Sequence, residues 1–274
     1  MSDQGDPLAR IADALERLCP SAAIHEDWLA SPAYVWNGAP RPVARLIAPP
    51  LELLMGIDNQ KAAVTANVTR LANGFAAHDM LLWGSRGMGK SALLRAGVAA
   101  AQSRAPGKLA LVQVTPDALT RLSSLFGILG AVDRRFLVFI DDLGFEDGDS
   151  AGPRALRSWL EGGIEARPAN VRLAVTSNRR AIVSRHLSEQ DDPVNPRDAV
   201  DDRLALADRF GLSIGFHACS QDDYLAIVAG YCAAHSLAWD HGEALEWAKR
   251  RGARSGRIAW QFVTELAGRA GIVL

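Results

Sequence analysis

From Leu51 to Phe216 the chain alternates between short apolar runs and longer stretches in which apolar residues recur every three or four positions. The runs at 79–83, 109–114, 136–141, 171–176 and 212–216 are short and mostly apolar, as expected of strands in a buried sheet. Helical spacing covers 58–73, 90–104, 117–129, 153–166 and 199–209. Strands alternating with helices predict an α/β fold of three layers, αβα, around a parallel five-stranded sheet. Past Ser220, a suitable cap for the run beginning at Gln221, only helical patterns follow, at 221–235, 242–251 and 257–269. The change of pattern predicts a small all-helical lid domain over 218–274, after an α/β domain over 51–217.

Residues 1–50 differ from both. Leu8, Ile11, Leu15 and Leu18 lie on one face of a helix predicted over 8–18, which Pro20 ends. The stretch 28–50 carries Trp28, Tyr34, Trp36, Pro40, Pro42, Pro49 and Pro50, and reads as an extended arm laid over a surface. Such an arm either braces the core of its own chain or docks a partner.

Composition narrows the class. The 274 residues are 49% hydrophobic, with 30 basic and 31 acidic side chains and a formal net charge of -1, so no global field draws the chain to nucleic acid or to an anionic membrane. No apolar stretch approaches a membrane span, and the first residues carry neither a basic leader nor an apolar signal core, which leads to the expectation of a cytoplasmic protein without membrane association. Cys19, Cys219 and Cys232 are few and scattered, which fits a reducing compartment.

The strongest chemical signal is Gly84-Ser85-Arg86-Gly87-Met88-Gly89-Lys90-Ser91, set between a predicted strand and a predicted helix. The glycines let successive N–H groups and the positive end of the helix converge on phosphate oxygens. Lys90 would reach the β and γ phosphates of a nucleoside triphosphate, and the Ser91 hydroxyl would hold Mg²⁺. Fifty-one residues beyond Lys90, the strand Phe136–Ile140 ends in Asp141 and Asp142. Ligands of parallel sheets bind at the carboxyl ends of strands, so Asp141 can hold Mg²⁺ opposite Ser91 and Asp142 can orient the attacking water.

Together these motifs resemble those of AAA+ ATPases, over roughly residues 50–270. The resemblance implies ATP and Mg²⁺ as cofactors. It also implies that Asn178, at the tip of 171–176, is a sensor touching the γ phosphate and the water, on a strand between the phosphate-loop strand and the Asp141 strand. Leu206-Ala207-Asp208-Arg209-Phe210-Gly211 resembles the box whose arginine reaches into a neighbouring subunit, which makes Arg209 the arginine finger of a homo-oligomer. Ser255-Gly256-Arg257 resembles the lid sensor, with Arg257 on the nucleotide, and Leu53–Gln60 resembles the segment that packs on adenine through Gly56 and Ile57. Asp-Asp-Leu at 141–143, Thr-Ser-Asn-Arg-Arg at 176–180, the segment 220–230 and Arg-Ser-Gly-Arg at 254–257 are similar to a bacterial ATPase family, the domain of unknown function numbered eight-fifteen.

The second acidic position is a departure from that pattern. AAA+ hydrolases mostly place Glu there, and Asp142 is shorter by one methylene, about 1.5 Å of reach; slow hydrolysis is the expectation, with Glu146 or Glu161 as substitutes should Asp142 not serve. Two readings follow. One is an oligomeric ATPase that remodels or loads a macromolecular partner, and the other is a nucleotide-gated module with slow or partner-triggered turnover. Ser123–Gly127 is the nearest approach to a pore loop and reads better as helix packing. His217, Cys219, Cys232 and His235 have no standard zinc spacing and read as packing residues at the lid junction. Arg179, Arg180 and the group Lys249, Arg250, Arg251, Arg254, Arg257 and Arg269 are the only support for nucleic-acid binding, and 185–203 reads as an acidic loop.

Overall fold

The computed structural model describes residues 28–143, 168–178 and 209–274. The helices predicted over 8–18 and 153–166, residues 199–208 of the helix predicted over 199–209, and the acidic loop 185–203 lie outside them, as do Arg179, Arg180, Glu146, Glu161 and Cys19.

Among the described residues the sheet has seven strands: β1 (Ala33–Trp36), β2 (Pro40–Val43), β3 (Met80–Gly84), β4 (Leu109–Val114), β5 (Arg135–Ile140), β6 (Val171–Ser177) and β7 (Leu212–Phe216), in the order β2-β1-β4-β5-β6-β3-β7. Every neighbouring pair is parallel except β1 with β2. The five predicted strands are present. β6 lies between β3 and β5, so the strand ends Gly84, Ile140 and Ser177 share one edge of the sheet.

Strand alternation divides the core in two. Phe136, Val138 and Ile140 of β5 enter one cluster while Leu137 and Phe139 enter the other, and β3 and β4 divide in the same way. Helices α1 (Asp58–Ala72) and α2 (Lys90–Arg104) cover the Leu137 face, and α3 (Leu122–Gly130) covers the Val138 face with Leu122, Leu125, Phe126 and Leu129. Asp79, nearly buried, registers the centre of the sheet: its carboxylate accepts from the Leu173 amide at 2.7 Å and its carbonyl from the Leu212 amide at 3.1 Å.

The strand count corrects the five-stranded expectation. The stretch read as an arm supplies β1 and β2, and β1 pairs with β4 in parallel register, Ala33 opposite Leu111. Trp28, Tyr34 and Trp36 are buried in the main core, with the Trp28 ring 4.7 Å from Tyr34 and edge-on to Phe136 at 5.9 Å. Arg134 ties this segment down by donating to the carbonyls of Trp28 and Ser31, both at 2.8 Å. Four residues are too few for alternation to register in a sequence, and Pro40 and Pro42 argue against a strand. Both prolines sit on β2, an edge strand, where a missing N–H costs little.

After β7 come α4 (Gln221–Ala234), α5 (His241–Arg250) and α6 (Gly256–Arg269), which share a separate apolar cluster that includes Tyr224, Val228, Ala244, Phe262 and Val263. Each start is capped. Ser220 and Asp223 form a reciprocal box, Asp240 accepts from the Glu243 amide at 2.8 Å, and Ser255 accepts from the Ile258 amide at 3.3 Å. Among the described residues no helix is long and apolar enough to cross a membrane.

If 28–36 belongs to the core, Trp28→Ala should cost about 3–5 kcal/mol, read as a lower urea midpoint. An arm resting on the surface would lose no more than about 0.5 kcal/mol.

Candidate nucleotide-binding site

The turn from β3 into α2 is shaped by its backbone. Gly84 has φ +118, and a Cβ there would lie 2.1 Å from the Phe216 carbonyl oxygen, so only glycine lets the end of β7 approach the loop. The Ser85 amide donates to that same oxygen at 2.8 Å. Gly89, at φ +86, caps α2 and places Lys90 in its first turn.

Lys90 is 5% exposed. Its ammonium donates to Gly84 O at 3.0 Å, to Ser85 O at 2.9 Å and to Asn178 Oδ1 at 2.9 Å, which uses all three protons. Burial pulls its pKa below the ordinary lysine value; the carboxylates of Asp142 and Asp141 oppose that shift, and Arg257 and Arg86 add to it.

Asn178 begins a polar circuit. Its Nδ2 donates to Asp142 Oδ1. The Asp142 amide donates to Thr176 Oγ1 at 2.8 Å, the Thr176 hydroxyl donates to Asp141 Oδ1 at 2.7 Å, and the Ser91 hydroxyl donates to the same oxygen at 2.6 Å. Asp142 adopts a left-handed backbone, φ 52, which turns its carboxylate out of the strand line toward the loop. Its Oδ2 lies 3.8 Å from Arg86 Nη2 in a solvent-exposed ion pair.

Lys90, Ser91, Asp141, Asp142, Thr176 and Asn178 line a cleft of about 330 Å³, within the range of small-ligand sites. One half is polar, with Lys90, Ser91, Asp141, Asp142 and Asn178. The other is largely apolar, formed by Leu54, Met55 and Ile57 ahead of α1 and by Ile227, Tyr231 and Trp260 of the lid helices. The lid meets the loop directly. The Arg257 amide donates to Gly87 O at 3.1 Å, and a Cβ on Gly87, at φ +77, would meet Ser255 Oγ at 2.8 Å. Met88, Gly89 and Arg257 line the cleft, whereas Gly56 opens onto an adjoining cavity of about 110 Å³ with Ile57 and His217.

Arg209 stands apart from the other predicted site residues. It precedes Leu212, the first residue of β7, whereas the cleft lies at the other end of the strands, beside Phe216. Cys219 and Cys232 belong to the lid core, and burial pushes the Cys219 thiol up to about 11. Of the C-terminal basic residues, Arg251 stacks over Trp247 at 3.5 Å, Arg250 pairs with Glu246, and Arg269 pairs with Glu243 and Glu265.

Four contributors were not singled out from the sequence. Thr176 lies two residues before Asn178, so alternation puts both on one side of β6. Tyr231 follows Ile227 by four residues and Trp260 follows Arg257 by three, the spacings of one helical face. Arg95, one turn beyond Ser91, donates weakly to its carbonyl at 3.4 Å and lines the cleft. These spacings were readable, but nothing marked those faces as turned to a cleft.

The described fold is thus a largely parallel sheet with a glycine-rich loop at the carboxyl end of β3, followed by three helices that meet that loop. The chain belongs to the family described as Protein of unknown function (DUF815), whose family model matches residues 29–270. No curated protein matches it. Solved structures of similar fold include the RuvB Holliday junction branch migration motor of Thermotoga maritima, at 17% identity and TM-score 0.52, with 83% of this chain and 68% of that chain covered. The Orc1 protein of Aeropyrum pernix, solved in complex with DNA, aligns at 15% identity and TM-score 0.56 over 79% of this chain and 61% of that one.

Thr176→Val should leave the Asp142 amide without its acceptor and lower stability by about 1–3 kcal/mol, read by urea denaturation. Thr176→Ser should restore most of the loss, and a neutral Val substitution would show that the hydroxyl does not hold the two aspartates together.

Proposed function

We propose that the protein binds ATP with Mg²⁺ in this cleft and hydrolyses it to ADP and phosphate within an oligomer, whose motions remodel or load a macromolecular partner. The observation that carries the reading is the unbroken hydrogen-bonded circuit from Lys90 through Asn178, Asp142, Thr176 and Asp141 to Ser91. It ties Lys90, both aspartates and Ser91 to one sheet edge.

The donor set fits its ion. Ser91 Oγ and Asp141 Oδ1, 2.6 Å apart, form a hard all-oxygen pair of the kind that binds Mg²⁺ while leaving it most of its water ligands. Bound there, the ion supplies charge neutralisation on the phosphates. Lys90 has three protons held by neutral oxygens, which triphosphate oxygens can replace with charged ones. Asp142 accepts a proton from the water as its oxygen attacks the γ phosphorus, and the bond to the ADP oxygen breaks. Asn178 holds Lys90 on one side and Asp142 on the other, so it positions both. The apolar half of the cleft, including Ile57 and Met55, suits a base, and Arg257 brings the lid to the phosphates.

Arg209 serves a neighbouring subunit in this reading. Five residues of β7 span about 13–16 Å, more than an arginine side chain reaches, and they lie between Arg209 and its own cleft. An arginine finger is worth about 10³–10⁵ in rate in nucleotide hydrolases, so turnover should depend on assembly. The fold likeness to a branch migration motor and to a DNA-bound protein makes DNA a partner worth testing. Binding that weakens steeply with salt would support it.

A second reading rests on Asp142. Its short carboxylate is held by Asn178 and faced by Arg86, which favours a nucleotide-gated switch whose turnover waits for a partner.

Steady-state hydrolysis measured against protein concentration, with mass in parallel, separates the readings. Turnover per subunit should rise with assembly, fall below detection in Lys90→Ala, and fall about 10³-fold or more in Arg209→Ala with ATP binding retained. Equal turnover at dilutions where the protein is monomeric would remove the role of Arg209 in trans. Tight ATP binding with negligible turnover at every concentration would favour the switch.

A further inference from the structure

Arg86 is the one charged side chain within the loop ahead of Lys90, and it points at the carboxylate proposed to activate water: Nη2 lies 3.8 Å from Asp142 Oδ2. The two partners differ in freedom. Asp142 is fixed three ways, by the Asn178 amide on Oδ1, by its own N–H on Thr176 and by its left-handed backbone. Arg86 hangs from the loop with a side chain 72% exposed, against 52% for Asp142. An ion pair so open to water is weak, so a stronger anion displaces the carboxylate readily, and the flexible arginine is the member that moves.

The position of Asp142 says which anion that is. By the function proposed above, on which this inference rests, Asp142 faces the water that attacks the terminal phosphate, and its neighbour Asn178 accepts from Lys90, the cation of the β and γ phosphates. A guanidinium paired with Asp142, which lines the cleft, therefore stands beside the γ end, although Arg86 itself is not among the lining residues. A terminal phosphate offers more charge and a planar pair of oxygens that matches the guanidinium fork, both of which one carboxylate oxygen at 3.8 Å lacks.

We propose that Arg86 is a specificity and positioning residue: it exchanges Asp142 for the γ phosphate, so that a triphosphate, and not a diphosphate, releases the carboxylate to act on water. The same exchange provides favourable contact with ATP that ADP cannot make. It also gives the short Asp142 a cation that leaves only when substrate is complete, which couples water activation to the presence of the bond to be broken.

Isothermal titration of Mg²⁺–ATPγS and Mg²⁺–ADP to the full chain tests this without turnover. Arg86→Ala should lower the preference for ATPγS over ADP about tenfold, while Arg86→Lys, which keeps the charge, retains most of it. Retained ADP affinity serves as the folding control. Asp142→Asn should tighten ATPγS in the parent by relieving repulsion and freeing Arg86, and the gain should be about 2- to 5-fold larger than in the Arg86→Ala background, where only repulsion is relieved. Equal gains in both backgrounds, or a preference unchanged by Arg86→Ala, would overturn the exchange while leaving ATP binding intact. Equal loss of both nucleotides in Arg86→Ala would assign Arg86 to the shape of the loop and overturn it too. A parent chain that binds neither nucleotide would overturn the functional reading itself.

Discussion

The buried ammonium of Lys90 is the constraint around which the carboxyl edge of the sheet is arranged. A cation taken out of water must keep its hydrogen bonds, and here two come from the loop that precedes it and one from the tip of β6. The third bond requires β6 to lie directly beside β3, which is the strand order observed. Because Asn178 also grips Asp142, that order carries the loop's position onward to the end of β5, and Thr176 returns it to Asp141 and Ser91. Shifting β6 by one residue would turn Thr176 and Asn178 to the other face and break the four links that pass through them, leaving only that of Ser91 to Asp141.

The same economy governs the lid. α6 begins at Ser255–Arg257, where one backbone hydrogen bond and a missing Cβ at Gly87 bring the helix start onto the phosphate loop. The three capped helices share an apolar cluster against which Leu53 and Met88 of the neighbouring segments also pack, so the loop and the helices are held together by apolar contact as well as by that hydrogen bond. On the opposite flank, β1 and β2 extend the sheet, with Trp28, Tyr34 and Trp36 filling the face under α3. Of the two readings of the extended arm, the brace is the one the packing of 28–43 matches, and the segment goes further by adding two strands to the sheet beside β4.

Much of the arrangement was legible beforehand because the signals are local. Gly84 to Ser91 encode a turn only glycines allow, with a cation at a helix start. The apolar runs of β3 to β7 announce strands, and Ser220 marks the start of α4 by its capping chemistry. Asn178 and Arg257 could be named only through resemblance to a family, since neither an Asn after a strand nor an Arg after Ser-Gly has a meaning of its own.

The sequence by itself determined the strand and helix periods, the phosphate loop and the pair of aspartates, because each depends on residues close together along the chain. Only tertiary structure decided that 28–43 joins the sheet, that Thr176 binds two neighbouring aspartates, and that Arg86 faces Asp142 across fifty-six residues of chain. It also put Arg209 at the far end of β7 from the cleft. Those outcomes depend on which strand ends share an edge and which faces turn inward. Such pairings are selected by the burial of the whole core, so no short window of residues contains them.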